Sequence, residues 1–155
     1  MNNLIKYLEN VKQKLTITNL MVNVIGKDRS LLQLIVSLNT QDQLYNKGIR
    51  SDKTKIGQYA PYTIEIKRLK GQPYNHITLK DTGDFYDSFV AFVDNSADIQ
   101  ISSDPIKTDA LTGLTTDLTI RYGEKIIGLT EENIDVINKK ILLPVQKYIK
   151  RNIFK

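Results

Sequence analysis

Apolar residues recur at helical spacing near both ends of this chain, and this feature restricts its fold more than any other. Near the N-terminus the stripe comprises Leu4, Leu8, Val11 and Leu15. Near the C-terminus a longer stripe comprises Ile134, Ile137, Ile141, Val145, Tyr148 and Ile149. We therefore expect an amphipathic helix at each end, with Thr130 as the N-cap of the second. Pro144 removes one helical hydrogen bond and crowds the preceding turn, so it is expected to kink or divide this helix.

Another helix is predicted between residues 28 and 48. Asp28 or Ser30 can cap it, and Gly48 can end it because glycine adopts the left-handed C-terminal conformation without strain. Its predicted buried stripe comprises Leu31, Leu34, Ile35 and Leu38. The apolar segment before it, residues 16–25, is rich in β-branched side chains and is open between a strand and a continuation of the first helix.

Glycines and prolines concentrate in residues 49–75, which predicts a long loop around one short element, Tyr62–Lys70. Two interpretations of this element stay open. As a helix it would bury a stripe formed by Tyr62, Ile66 and Leu69. As a strand it would place Ile64 and Ile66 on one face.

The same loop carries several tyrosines. Loops of this length inside a compact domain often have a function or become ordered on contact with a partner. Tyr59, Tyr62 and Tyr74 are therefore candidate contacts with another subunit or with nucleic acid.

Short β-branched runs in the middle of the chain predict a small antiparallel sheet. Phe89–Val93 and Ile99–Ile101 flank Asp94–Asp98, which has the composition of a hairpin turn. His76–Lys80 alternates as a short strand would, and Leu118–Arg121 is a candidate edge strand. We therefore predict one α+β domain, with N-terminal and C-terminal amphipathic helices packed on a small antiparallel sheet that includes a hairpin.

The chain contains no cysteine and a single histidine, His76, and this restricts its chemistry. Disulfides, thiolate nucleophiles, and metal sites built from cysteines or a histidine pair are excluded. Ser88 lacks a Gly-x-Ser-x-Gly setting, and Gly26-Lys27 lacks the other residues of a phosphate loop. We expect neither a cofactor nor catalytic machinery.

Charged residues interrupt the N-terminal apolar stripe, so we expect no signal peptide. No segment approaches the roughly 20 apolar residues that span a bilayer. We therefore expect the protein to be made and retained in the cytoplasm, with no membrane partner.

Asp81-Thr82-Gly83 is the tripeptide of aspartic proteases and gives the sharpest indication of an enzyme. A homodimer would supply the second carboxylate, and the two would share one proton. The context differs from those enzymes, because Lys80 precedes the tripeptide and the charged Asp84 follows it. We favour a strand-to-helix turn in which Thr82 or Asp81 caps the next helical turn.

The formal net charge is +5, and no acid follows Asp135. The cations of this last segment are Lys139, Lys140, Lys147, Lys150, Arg151 and Lys155. Clustered cations release counterions from a phosphate backbone, so Lys147, Lys150 and Arg151 are candidate nucleic-acid contacts. The helix dipole also favours cations at a C-terminus, and no aromatic stacking platform interleaves with them. Nucleic acid is therefore the alternative partner rather than the favoured one.

The segment 79–89, LKDTGDFYDSF, resembles the Asp-Thr-Gly-x-apolar-x-x-Ser-apolar motif of tailed-phage virion-morphogenesis and tail-completion proteins. The order of elements from Ile49 to Lys155 is similar as well: a Lys-rich element in a loop, the motif, a β-hairpin and a C-terminal amphipathic helix. The chain departs from the pattern at Phe85, where leucine is commoner. It also lacks the Tyr-Ala-x-x-His stretch that follows the hairpin in many members.

The residues of this motif have structural roles that require no substrate. We expect Thr82 to cap a turn, and Gly83 to permit its tight backbone. We expect Phe85 and Phe89 to be buried beneath the sheet, and Ser88 to bond back to the turn. Together with Asp81 they form the predicted structural site.

The resemblance implies a non-enzymatic virion component at the head–tail junction, in the neck or in tail completion. It further implies a homo-oligomeric ring that contacts portal, connector or tail subunits, without a small-molecule substrate. Such a protein is assembled in the host cytoplasm and resides in the virion.

Overall fold

The computed structural model describes residues 2–108 and 113–153, and for residues 2, 3 and 153 only the backbone. The helices are α1 (Asn2–Lys14), α2 (Ile17–Leu20), α3 (Arg29–Ser37), α4 (Pro61–Leu69), α5 (Asp84–Asp87), α6 (Leu118–Tyr122) and α7 (Glu131–Ile153). The strands are β1 (Val90–Val93), β2 (Ile99–Ser102), β3 (Ile106–Thr108) and β4 (Thr115–Asp117). The predicted α+β class is confirmed.

The strands form two separate antiparallel hairpins rather than one sheet. In the first, β1 pairs with β2 so that Val93 lies opposite Ile99, which confirms the predicted hairpin. The carboxylate of Asp94 accepts hydrogen bonds from the backbone N–H groups of Ser96 and Asp98 and so closes the turn. The second hairpin, β3 with β4, is not predicted by the sequence pattern.

Two predicted strands are wrong. The segment 76–80 is irregular, because Leu79 has a positive φ of 58° that interrupts an extended chain. Residues 118–121 belong to helix α6, because the carboxylate of Asp117 accepts hydrogen bonds from the N–H groups of Thr119 and Ile120. This N-cap outweighs the β-branched composition of the segment.

The open question at residues 16–25 is resolved in favour of helix. Thr16 caps α2 by accepting a hydrogen bond from the N–H of Asn19 at 3.3 Å. The chain then continues as a π-helical segment, Met21–Ile25, which buries Val24 and Ile25. The β-branched residues of this segment therefore contact the core from a helix and not from a strand.

Helix α3 begins at the predicted N-cap, Asp28, and its continuation ends at the predicted stop, Gly48. Asp28 accepts hydrogen bonds from the N–H groups of Ser30 and Leu31, each at 3.1 Å. After α3 the chain widens into a π-helical segment, Leu38–Lys47, and ends at Gly48 with φ 62°. A Cβ atom at Gly48 would collide with the ring of His76, so glycine is required by both conformation and space.

His76, the single histidine, is half-buried. Its Nε2 lies 2.8 Å from the carbonyl oxygen of Tyr45. Because a carbonyl oxygen only accepts, Nε2 carries the hydrogen in this contact. The single histidine therefore stabilises the end of the π-helical segment Leu38–Lys47.

Helix α4 confirms the helical interpretation of the element in residues 49–75, and the strand alternative is wrong. Pro61 occupies the first turn, where its missing N–H costs nothing. The face that α4 buries differs from the prediction. Tyr62 is 78% exposed and Leu69 88% exposed, whereas Lys67 is only 7% exposed.

Two clusters of buried side chains support the fold. One comprises Leu44, Ile56, Ile77, Phe85, Tyr86, Phe89, Leu118 and Ile126. The other comprises Val24, Ile25, Leu31, Ile35 and Ile137. Ile101 on strand β2 packs against both clusters, so the first hairpin joins them.

Helix α7 runs unbroken past Pro144, and the predicted division is not observed. Thr130 accepts a hydrogen bond from the N–H of Asn133 at 3.4 Å, which confirms it as the cap. Glu131 and Glu132 occupy the first turn, where the helix dipole favours acids. Among the described residues, no helix is long and apolar enough to cross a membrane.

Candidate functional site

The predicted structural motif forms a tight corner between an irregular segment and the first hairpin. Gly83 takes the N-cap position of α5 with φ 115°, a conformation that side chains rarely adopt. The prediction that Thr82 or Asp81 caps this helix is wrong, because no side chain bonds to its N-terminus. The hydroxyl of Thr82 instead donates to the carboxylate of Asp84 at 2.7 Å.

Aromatic rings anchor this corner in the core, as predicted. Phe85 and Phe89 are both buried, and their rings meet edge to face with centroids 4.9 Å apart. Tyr86 is buried beside them and donates its hydroxyl hydrogen to the carbonyl oxygen of Thr78. Burial raises the pKa of Tyr86 well above its ordinary value, because the phenolate would lose its hydration.

Ser88 bonds back to the turn, which confirms its predicted role. Its hydroxyl donates to the carbonyl oxygen of Phe85 at 2.7 Å and accepts from the N–H of Asp104 at 3.0 Å. The second bond connects the corner to the segment that leads into β3. The hydroxyl therefore both donates and accepts a hydrogen bond within the fold.

The three candidate tyrosines lie in different environments. Tyr59 is half-buried, and its hydroxyl lies 3.0 Å from Oγ1 of Thr78 and accepts from the N–H of the same residue at 2.9 Å. Tyr62 is exposed on α4. Tyr74 is exposed too, with the guanidinium of Arg68 at 4.8 Å from its ring centroid. Tyr62 and Tyr74 remain available for contacts, whereas Tyr59 supports the fold.

Next to the corner lies a cavity of about 480 Å³, which we call the basic cleft. Its walls come from α4, the segment 77–81, both strands of the second hairpin and α6. The cationic side chains that line it are Lys67, Lys70, Lys80, Lys107 and Arg121. Among the described residues that line it, Asp81 is the single acid, so these residues give the cleft a positive charge that attracts anions.

Asp81 pairs with a cation of this cleft. Its carboxylate lies 2.7 Å from Nζ of Lys107. The hydrogen bond from Lys107 lowers the pKa of Asp81 below its ordinary value, and the nearby charges of Lys70 and Lys67 act in the same direction. The aspartate of the protease-like tripeptide is therefore held ionised at neutral pH.

Sequence reasoning selected Asp81 and Tyr59 but missed the cations that surround them. Lys67 and Lys70 stand in the Lys-rich element, whose composition is the only local signal of this site. Lys107 and Arg121 are distant in sequence and join the cleft because the second hairpin and α6 line the same cavity as α4 in the folded chain.

A second feature is a set of exposed apolar side chains on helices from both ends of the chain. Helix α1 contacts α2 and α7 but leaves much of its apolar stripe in solvent. We define the terminal apolar surface by its exposed residues Leu4, Ile5, Leu8, Ile17, Leu142 and Leu143. Groups of exposed apolar side chains of this kind mark contact sites.

The predicted nucleic-acid contacts lie on the last turns of α7. Lys147, Lys150 and Arg151 are all exposed. Within the described residues none of them belongs to an ion pair. Lys155, the last cation of this series, lies outside the described residues.

The described residues contain no group of three or more His, Asp or Glu side chains that could hold a metal ion. Of the features above, the basic cleft can bind an anion, and the terminal apolar surface can bind a protein. No protein-family model, curated protein or solved structure matches the chain.

Proposed function

We propose that this chain is a non-enzymatic structural subunit of a tailed-phage particle. It acts in the neck or in tail completion at the head–tail junction, as a member of an oligomeric ring. The resemblance of residues 79–89 to the motif of such proteins motivates the phage setting. The corner that these residues form supports it, since its aromatic rings and Ser88 are used entirely in packing and hydrogen bonding.

The observation that carries the assembly role is the exposure of apolar side chains on two different sets of elements. The terminal apolar surface is one set. The other, which we call the cleft-side surface, comprises Tyr62, Leu69, Tyr74, Ile106 and Ile120, each exposed on or beside an element that lines the basic cleft. The largest exposures are those of Leu69 and Ile120, at 88% and 85%.

A ring requires this kind of arrangement. In a head-to-tail interface each subunit presents one surface to the subunit before it and a different surface to the one after it. The terminal apolar surface and the cleft-side surface provide two such surfaces on one chain. The occupant of each is therefore a second copy of this chain, and other virion proteins bind the rims of the ring.

The test is the composition of the particle. Mass spectrometry of purified virions from the source should detect this chain in several copies per particle, and cryo-electron microscopy should place it at the junction of head and tail. Complete absence of the chain from virions would overturn the proposal.

A nucleic-acid-binding role is the second candidate, because the exposed Lys147, Lys150 and Arg151 lack ion-pair partners among the described residues. Binding to duplex DNA would weaken steeply with added salt, with a slope set by the phosphates neutralised. Charge reversal of all three residues to Glu would abolish it. Salt-insensitive binding, or none, would remove this candidate.

A further inference from the structure

The basic cleft holds more positive charge than its own residues neutralise. Among the described residues, five cations and one carboxylate line it, which is an excess of four positive charges around one cavity. Asp81 already pairs with Lys107. The remaining cations, Lys67, Lys70, Lys80 and Arg121, form no ion pair within residues 2–108 and 113–153.

Lys67 is the least ordinary of these residues, because its ammonium is buried without a counterion. The side chain is 7% exposed. Its Nζ donates to Oε1 of Gln72 at 3.0 Å and to the carbonyl oxygen of Lys80 at 3.1 Å, and both acceptors are neutral. An ammonium has three N–H donors, and these two bonds use two of them. Burial of a charge without a paired opposite charge is costly, and an anion in the cleft would offset that cost.

Aromatic rings lie beside three of the cleft cations, and the guanidinium carbon of Arg121 is 5.3 Å from the ring centroid of Tyr122. Nζ of Lys67 lies 4.9 Å from the ring centroid of Tyr59. Nζ of Lys80 lies 5.2 Å from the ring centroid of Tyr45 and 5.4 Å from that of Tyr86. Cation–π contacts restrict these long side chains, so less conformational entropy is lost when a ligand binds.

Asp81 shows that the cleft already binds a negatively charged group. Its carboxylate accepts a hydrogen bond from Lys107 at 2.7 Å and responds to the charges of Lys70 and Lys67. The side chain is half exposed, with 52% of its surface accessible. An incoming anion would compete with it for the same cations.

The size and the walls of the cleft restrict the ligand further. A volume of about 480 Å³ lies within the range of roughly 300–1,000 Å³ that is typical of small-molecule sites. Apolar and aromatic residues line it beside the cations, among them Ile66, Leu118 and Tyr122. The guanidinium of Arg121 can bind two phosphate oxygens at once, which an ammonium cannot do.

We propose that the basic cleft is a binding site for a phosphate-bearing ligand of nucleotide size. The phosphate oxygens accept hydrogen bonds from Lys67, Lys70 and Arg121, and the apolar part of the ligand lies against Ile66 and Tyr122. The ligand displaces Asp81 from Lys107. The phosphate comes either from a free nucleotide or from the end of a nucleic-acid strand.

The test is a calorimetric titration of the full chain at low salt with four probes. These are inorganic phosphate, pyrophosphate, ATP and a 5′-phosphorylated single-stranded oligonucleotide. We expect ATP or the oligonucleotide to bind more tightly than inorganic phosphate. Binding of ATP assigns the free nucleotide as the source, and binding of the oligonucleotide alone assigns the strand end. Failure of every probe to bind would overturn the proposal.

Matched variants separate the cleft from general surface charge. The triple variant K70Q/K107Q/R121Q removes three cations from the cleft, and K147Q/K150Q/R151Q removes three from α7. We expect the first to weaken binding at least about tenfold, since each charge-assisted hydrogen bond contributes appreciably, and the second to leave it nearly unchanged. Equal weakening by both would show nonspecific attraction and contradict the proposal.

Asp81→Asn provides an independent test that does not depend on removal of a cation. It removes the competing carboxylate, so the probe that binds the wild-type protein should bind this variant at least about threefold more tightly. Thermal denaturation of every variant without ligand shows whether the fold is retained. Unchanged or weaker binding by a folded Asp81→Asn variant would contradict the displacement of Asp81.

Discussion

At the scale of single residues, buried amide side chains fix the segment that leads into α7. Asn39 donates to the carbonyl oxygen of Ile126 and accepts from the N–H of Gly128. Gln43 donates to the carbonyl oxygen of Gly128 at 2.9 Å. Both side chains have 0% exposure, so their hydrogen bonds are made without competition from water.

Gln43→Leu should destabilise the protein by about 2–3 kcal/mol, because it leaves buried backbone groups without hydrogen-bond partners. In the native protein Oε1 of Gln43 accepts from the N–H of Thr130 and from Nδ2 of Asn133, each at 2.9 Å. Urea denaturation measures the change. Gln41→Leu on the exposed face of the same segment is the control, with an expected effect within about 0.5 kcal/mol. Equal effects would show that the amide contacts contribute little.

Tyr86 should make stability depend on pH in the alkaline range. Burial raises its pKa in the folded state above the ordinary value of 10.0. Below about pH 10 the phenol is neutral in both states and its contribution to stability is complete. Above that pH the unfolded chain loses the proton first, so stability falls as pH rises.

The measurement is the free energy of unfolding between pH 8 and about pH 11. Wild type should lose more stability across this range than Tyr86→Phe, which has no phenolic proton. Tyr62→Phe, at an exposed position, should behave as wild type. Parallel curves for wild type and Tyr86→Phe would contradict this prediction.

At the scale of elements, the helices with clear caps and stripes, α1, α3 and α7, were predictable because their information is local. The stripe after Asp28 and the stop at Gly48 place α3 and its extension correctly. The short strands were less predictable. Residues 118–121 have strand composition, but Asp117 provides a helix cap, and residues 76–80 alternate without a partner strand.

The buried face of α4 could not be read from its sequence. Periodicity assigns Tyr62, Ile66 and Leu69 to the interior, yet Lys67 is the buried residue. Its position depends on the side chain of Gln72 and the carbonyl oxygen of Lys80, which approach α4 only in the folded chain. Apolar content is therefore a poor guide to orientation where a helix lines a polar cavity.

Pro144→Ala should stabilise α7 by about 1–3 kcal/mol, because the helix passes through Pro144 without interruption. Alanine restores the missing N–H and relieves the crowding of the preceding turn. The midpoint of thermal unfolding measures this effect, with Gln146→Ala at an exposed position of the same helix as the control. A loss of stability would show that the packing of Val145 and Tyr148 requires the local geometry imposed by proline.

At the scale of the whole molecule, the candidate sites are products of tertiary structure. The cations of the basic cleft are spread over α4, the segment 77–81, β3 and α6. The terminal apolar surface combines α1 and α2 with α7. A pattern search within one segment finds their parts but cannot place them together.

The terminal apolar surface should mediate self-association of the chain. Replacement of Leu142 and Leu143 by Glu places charges in the interface and should raise the dissociation constant of the oligomer at least about tenfold. Sedimentation velocity over a range of concentrations measures this. Glu substitutions at Val90 and Phe92, exposed apolar residues of β1 outside both surfaces, are the control. A wild type that stays monomeric at every concentration would contradict the prediction.

The amide contacts of Asn39 and Gln43 have a consequence for synthesis on the ribosome. They join residues 85 to 90 positions apart, and Ile137 completes the cluster that contains Val24, Leu31 and Ile35. During synthesis, the N-terminal helices therefore expose these amide groups and apolar side chains to solvent. The cluster of Val24, Leu31 and Ile35 is completed only after α7 has left the exit tunnel, and until then we expect chaperones to bind the exposed apolar residues.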